Sequence, residues 1–147
     1  MMGIAQRVIN SGARGAVAAM AMTGTRSLTG SLGLMSETPP EAVLHQQVPG
    51  LMAKIPKSKQ PAVVELAHWT FGVVAGAGYA MLPSGLRKYR WAGAVYGLVV
   101  LTGFEAGIAP LLGLSQSRHL RLVERLVFLA DHALFGVVLA PPRHEQA

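Results

Sequence analysis

Apolar residues dominate four long stretches of the chain. Residues 66–86 contain no Asp, Glu, Lys or Arg. The other three stretches contain one charged residue each, namely Arg26 in 15–36, Glu105 in 91–117 and Asp131 in 126–142. A helix needs about 20 mostly apolar residues to cross a bilayer. The pattern therefore predicts an all-α integral membrane four-helix bundle, with spans at about 12–35, 62–82, 91–113 and 123–141.

Composition favours a membrane protein over a water-soluble one. Of the 147 residues, 51% are hydrophobic and only 14% are charged, whereas soluble domains are typically about a quarter charged. The length allows one domain, which we take as residues 1–147. Because the chain has no cysteine, disulfides, thiol nucleophiles and thiolate-bound metals are excluded.

The net charge of +6 raises the question of nucleic-acid binding. The basic residues, however, form short clusters between the apolar stretches, a distribution typical of proteins beside anionic lipid headgroups. We therefore expect the lipid bilayer, and not nucleic acid, as the partner. Basic residues divide six to six between the two predicted sides, so they do not determine the membrane orientation.

Two regions outside the apolar stretches have competing interpretations. In the longer loop, 36–61, Thr38-Pro39-Pro40-Glu41 has the pattern of a capping box and predicts a helix lying on the membrane surface. The alternative is an ordered loop interrupted at Pro49 and Pro56. The N-terminus has the basic and apolar features of a signal or transit peptide, but its apolar character continues to Met35, which favours a retained first span.

The second and fourth stretches contain a similar motif. His68, Phe71, Gly72, Val73 and Val74 recur as His132, Phe135, Gly136, Val137 and Val138, at a constant offset of 64 residues. Gly15-Ala16-Val17 likewise resembles Gly93-Ala94-Val95, although the first and third stretches correspond more loosely. We interpret the chain as two duplicated helical hairpins, against the alternative of chance recurrence in a sequence rich in Gly and Val.

Small residues recur at the spacing that allows close helix contact. Three GxxxG pairs are present, and Gly15, Ala19 and Thr23 form a similar ridge. Helices in lipid associate through close backbone approach at such ridges. The residues predicted to pack in this way are Gly72, Gly76, Gly93, Gly97, Gly103, Gly107 and Gly136.

Ionisable residues within the apolar stretches are predicted to meet at one level of the bundle. They lie about 9–14 Å from the same side of the bilayer, at roughly 1.5 Å of rise per residue. Such residues are costly if they face lipid, so we expect them to face inward and to pair, for instance as an Arg26–Glu105 salt bridge. Glu65 would join nearer the surface. The predicted polar cluster consists of Arg26, Glu65, His68, Glu105, Asp131 and His132.

The cluster admits three functions. It would bind or pass a proton, an ion or a small solute, because intramembrane ionisable groups often mark such pathways. Alternatively, its charges would only neutralise one another in a structural or accessory subunit of a homo-oligomer or membrane complex. As a minority alternative, His68 and His132 would ligate a b-type haem. No cofactor or metal site is otherwise predicted, and the absence of GxSxG, Walker A, GxGxxG and HExxH motifs argues against an enzyme.

Short motifs in all four stretches, covering about residues 12–140, resemble a family of small bacterial inner-membrane proteins of unassigned mechanism, the YagU-like proteins. The motifs are Ala21-Met22-Thr23, Pro39-Pro40-Glu41-Ala42-Val43, Ala67-His68-Trp69-Thr70-Phe71-Gly72, Gly93-Ala94-Val95-Tyr96-Gly97 with Pro110, and His132-Ala133-Leu134-Phe135-Gly136. The resemblance implies a four-helix, multi-pass protein of the bacterial inner membrane, with a loose association to acid or envelope stress. It supplies no catalytic residues.

Overall fold

The computed structural model of the chain describes residues 3–35, 38–114 and 120–140. In these ranges every regular element is helical, which confirms the all-α prediction. A 3-10 turn at Lys57–Lys59 precedes the fourth helix. In chain order, the helices are α1 (Ile4–Ser31), α2 (Pro39–Gln47), α3 (Pro49–Lys54), α4 (Gln60–Met81), α5 (Ser84–Arg87), α6 (Ala92–Gly103), α7 (Ala109–Leu111) and α8 (Leu122–Leu139).

A π-helical turn, Phe104–Ile108, joins α6 to α7 and makes one continuous helical segment, Ala92–Leu111. The sequence did not predict this turn. A π turn widens the helix by one residue per turn, and it is frequent at functional sites. Here it contains Glu105, one of the predicted polar residues.

The observed helices differ from the four predicted spans in their capacity to cross a membrane. Among the described residues, one segment, Ala92–Leu111, is long and apolar enough for this by length and composition. The other long helices are more polar, since α8 contains Glu124, Arg125 and Asp131 within its 18 residues. By length and composition, one of the four predicted spans is therefore supported, and the other three stay predictions.

Helices α1 and α4 pack against each other in antiparallel orientation through their glycines. A methyl group on Gly72 would lie 2.6 Å from both the Gly15 carbonyl oxygen and the Ala19 Cβ. One on Gly76 would lie 2.9 Å from the Gly15 Cα. The two backbones are in direct contact here because neither helix has a side chain between them.

Helices α6 and α8 repeat this arrangement. A methyl group on Gly136 would overlap the Gly93 carbonyl oxygen, and one on Gly93 would overlap the Gly136 carbonyl oxygen. Gly97 meets the backbone carbonyl of His132 in the same way. The third predicted glycine pair is different: Gly103 and Gly107 have no neighbour within 4 Å of a built Cβ, so that pair carries no close helix contact within the described residues.

The two hairpins join through α1, which also packs on α8, and through Tyr96 of α6. The Tyr96 hydroxyl donates a hydrogen bond to the Ala75 carbonyl oxygen of α4 at 2.6 Å, and its ring packs edge-on against Tyr79 with centroids 5.2 Å apart. The buried core between the hairpins is formed by Ala18, Ala19, Met22, Ala75, Tyr79, Phe135 and Leu139.

The loop between the first two long helices is itself helical. Pro39 and Pro49 begin α2 and α3, as expected for residues that lack the backbone N–H. The predicted capping box is not formed, because Thr38 precedes α2 without a side-chain cap hydrogen bond. The α2 helix contacts α4, and the Gln47 amide donates to the Leu112 carbonyl oxygen at 2.7 Å. These contacts hold α2 across one end of the bundle.

Candidate functional site

A cavity of about 330 Å³ lies between the long helices, at the end that α2 covers. Pockets that bind small molecules are typically about 300–1,000 Å³ and mostly apolar, with a few polar groups. This cavity has the same character, because most of its lining side chains are Pro, Ala, Val, Leu, Ile or Phe. The helix α2 contributes Pro39, Pro40, Ala42, Val43 and Leu44 to the lining.

The structure brings five of the six predicted polar residues to this cavity. They come from four elements, namely α1, α4, the π turn and α8. The sixth, Glu65, is half-buried beside the cavity, and its Oε2 lies 3.9 Å from Nδ1 of His68. The five lining residues are Arg26, His68, Glu105, Asp131 and His132.

Arg26 of α1 is directed at His68 of α4. Its Nη2 lies 2.5 Å from Nδ1 and 3.0 Å from Nε2 of the imidazole. A guanidinium only donates hydrogen bonds, so the imidazole accepts with an unprotonated nitrogen. The predicted Arg26–Glu105 salt bridge is therefore wrong, because the guanidinium points across the α1–α4 contact to His68. Within the described ranges Glu105 makes no ion pair.

A short polar chain extends from this pair along the α1–α4 contact. The Thr23 hydroxyl donates to Oε2 of Glu65 at 2.5 Å and accepts from the indole N–H of Trp69 at 3.2 Å. Glu65 is thereby bonded on one side and close to His68 on the other. Glu65 is therefore hydrogen-bonded along the α1–α4 contact and is not part of the cavity lining.

Asp131 of α8 is satisfied on one side only. Its Oδ1 accepts a hydrogen bond from the Thr25 hydroxyl of α1. Its Oδ2 is buried and has no hydrogen-bond partner in the described part of the chain, although Asp131 is only 3% exposed. A buried polar atom without a partner costs free energy, so this oxygen is the least satisfied group of the cavity.

The remaining two of the five polar lining residues are His132 and Glu105. His132 Nδ1 lies 2.9 Å from the Phe128 carbonyl oxygen of its own helix, so it donates that proton to the backbone. Glu105 is half-buried in the π turn and contacts the cavity. The site thus contains two carboxylates, Glu105 and Asp131, and one guanidinium.

Sequence reasoning missed the aromatic part of the site and the role of Thr25. All four phenylalanines of the chain, Phe71, Phe104, Phe128 and Phe135, line the cavity. A signal was present for two of them, because Phe71 and Phe135 each follow a repeated histidine by three residues and share its helix face. Thr25 gave no such signal, since nothing in the sequence pairs it with Asp131, 106 residues away.

The geometry does not favour the bis-histidine haem. Both ring nitrogens of His68 lie beside the Arg26 guanidinium, so neither is free to face an iron. In residues 3–35, 38–114 and 120–140, no three His, Asp or Glu side chains converge closely enough to hold a metal ion.

Comparison with protein-family models, with curated proteins and with solved structures finds no match to this chain. The resemblance to the YagU-like proteins and the stress association that it implies therefore stay predictions.

Proposed function

We propose that this protein is a four-helix membrane protein that binds a small solute in its interhelical cavity. Binding is also the step that passage of a solute through the bundle would require. The observation that carries the proposal is that Arg26, His68, Glu105, Asp131 and His132 line one otherwise apolar cavity. Polar groups that converge in an apolar pocket are typical of a small-molecule site.

The outer surface of the bundle supports the membrane part of the proposal. Large apolar side chains are exposed on all four long helical segments, whereas the buried contacts are made mainly by Gly, Ala and polar residues. Soluble monomers rarely expose large apolar patches, whereas a lipid-facing surface accounts for apolar side chains exposed on every long helix. Examples from each segment are Val17 and Met20 in α1, Val73 and Val74 in α4, Val95 and Val99 in α6, and Leu126 and Leu129 in α8.

The glycine contacts support the duplication of the two hairpins. Gly15 meets Gly72 in the first hairpin, and Gly93 meets Gly136 in the second. These are the residues that the sequence repeat aligns, and in both pairs each glycine faces the carbonyl oxygen of the other. A chance similarity between two Gly-rich helices gives no reason for the partners to correspond as well.

Ligand-dependent stabilisation tests the proposal. The full chain in lipid nanodiscs would be unfolded by heat in the presence of small aromatic solutes that are cationic, neutral or anionic. A solute that binds only the folded state raises the Tm. We expect solutes of at least one of these charge classes to raise the Tm of the wild-type protein. The Ala67→Phe variant, which fills the cavity, should lose the effect, while Ala62→Phe, on the exposed side of the same helix, should keep it.

The rival function is a structural subunit, in which the cluster only holds the helices together. It predicts that no solute class stabilises the wild-type protein. It also predicts that any shift seen is equal in the Ala67→Phe and Ala62→Phe variants. Either result would overturn the binding proposal.

A further inference from the structure

We propose that the solute is an organic cation, with an apolar or aromatic body and one protonated or quaternary nitrogen. This inference rests on the proposed function, because it names the ligand class of the same cavity. It depends on the charges that face the cavity, on an unsatisfied carboxylate oxygen and on the aromatic lining.

The cavity lining has more acidic than permanently basic side chains. With the histidines counted as neutral, its formal charges come from Glu105, Asp131 and Arg26, that is, two carboxyl groups against one guanidinium. The single cation is already engaged, since Arg26 donates to His68 through Nη2 and to the Met22 carbonyl oxygen through Nε. An anionic solute would have to compete with these contacts, whereas a cation would compensate the excess charge.

Asp131 offers the direct point of attachment. Its Oδ2 is buried and has no partner within the described residues, while Thr25 holds the other oxygen and so fixes the orientation of the carboxylate. An ammonium group near Oδ2 would supply either a charge-assisted hydrogen bond or, if quaternary, an ion pair. Glu105 lies on the same cavity from the π turn and makes no ion pair in the described ranges.

The remaining lining selects an organic cation over an inorganic one. Phe71, Phe104, Phe128 and Phe135 all line the cavity. Aromatic faces attract cations and provide apolar contact for the body of the ligand. An inorganic cation would need several converging oxygen ligands, and no three His, Asp or Glu side chains converge in this way among the described residues.

The test compares three molecules of similar shape, namely benzyltrimethylammonium, its neutral carbon analogue neopentylbenzene, and the anion phenylmethanesulfonate. Each would be titrated by calorimetry into the full chain in nanodiscs, with empty nanodiscs as the blank for partition into lipid. We expect benzyltrimethylammonium to bind at least about tenfold more tightly than either analogue.

Charge variants then locate the site. Asp131→Asn and Glu105→Gln preserve shape and remove one negative charge each, so each should weaken binding of benzyltrimethylammonium by about tenfold or more. Glu41→Gln removes the same charge on α2, outside the cavity lining, and should leave binding unchanged. Circular dichroism would verify that each variant is folded.

Each contrary result has a distinct meaning. Equal binding of the neutral analogue would overturn the cation inference and leave the cavity as a binding site. Tighter binding of the sulfonate would also overturn it, and would indicate recognition by Arg26. If none of the three molecules binds the folded wild-type protein, both this inference and the proposed function fail.

Discussion

Arg26 of α1 lies within hydrogen-bond distance of His68 of α4, with 2.5 Å between Nη2 and Nδ1. Both residues are buried. The imidazole supplies the buried guanidinium with a hydrogen-bond acceptor. The pair thus links the first two long helices at the edge of the cavity. In this pair His68 acts as the hydrogen-bond acceptor.

Two substitutions of His68 should separate its acceptor function from its volume. His68→Gln retains a side-chain acceptor for Arg26, whereas His68→Leu retains only apolar volume. We expect the Leu variant to be less stable than the Gln variant by about 1–3 kcal/mol, because the guanidinium loses its partner. Titration of SDS into the protein in mild detergent would measure the difference in their free energies of unfolding. Equal stability of the two variants would refute a structural role for this hydrogen bond.

The glycines should differ in their tolerance of a methyl group. Gly72→Ala and Gly136→Ala place a Cβ against the carbonyl oxygen of the facing helix, so each should lose about 1–3 kcal/mol or more. Gly103→Ala and Gly107→Ala meet nothing within 4 Å. These two should be neutral, or more stable by up to about 1 kcal/mol, because alanine favours the helix. The same SDS titration distinguishes the two groups, and uniform effects at all four positions would contradict the packing.

The hydrogen bond from Thr25 to Asp131 should contribute to stability. Thr25→Val keeps the shape of the side chain but leaves both carboxylate oxygens without a protein partner, which we expect to cost about 1–3 kcal/mol. Thr70→Val is the matched control, since the exposed Thr70 hydroxyl donates to the Leu66 carbonyl oxygen of its own helix. If Thr70→Val loses as much stability as Thr25→Val, the contact between α1 and α8 does not depend on this bond.

The helical architecture was largely predictable from the sequence because apolar stretches of this length have few other structures. The bounds of three predicted helices lie within a few residues of the observed ones, for example 62–82 against Gln60–Met81. The first helix begins earlier, at Ile4, because helix formation does not require the apolar character that the prediction used. The π turn Phe104–Ile108 has no equivalent signal, because the apolar pattern of the third stretch does not distinguish a π turn from an α-helical turn.

The polar cluster was predictable as a group but not as a set of pairs. The spacing from the helix ends placed Arg26, His68 and Asp131 at one level, and all of them line the cavity. Spacing does not specify the rotation of each helix or the direction of a side chain. It therefore predicts an Arg26–Glu105 pair, whereas the structure has Arg26 beside His68. The threonine partners also escaped prediction, because hydroxyl hydrogen bonds leave no pattern in the sequence.

The absence of cysteine makes the membrane orientation of individual side chains measurable. In single-cysteine variants, a thiol that faces lipid does not react with water-soluble reagents, because the thiolate does not form there. Val74, which is 64% exposed, should then behave as a lipid-facing position, and Ala67 as a cavity position. Ser58, exposed in the turn before α4, provides the reference for contact with water.

The most direct test of a membrane-embedded cavity is therefore the maleimide reactivity of Val74→Cys and Ala67→Cys in intact proteoliposomes, relative to Ser58→Cys. We predict that Val74→Cys stays unlabelled until detergent denatures the protein, while Ala67→Cys is labelled and is protected by a cavity ligand. Labelling of Val74→Cys as fast as Ser58→Cys, with Ala67→Cys unreactive, would contradict the account.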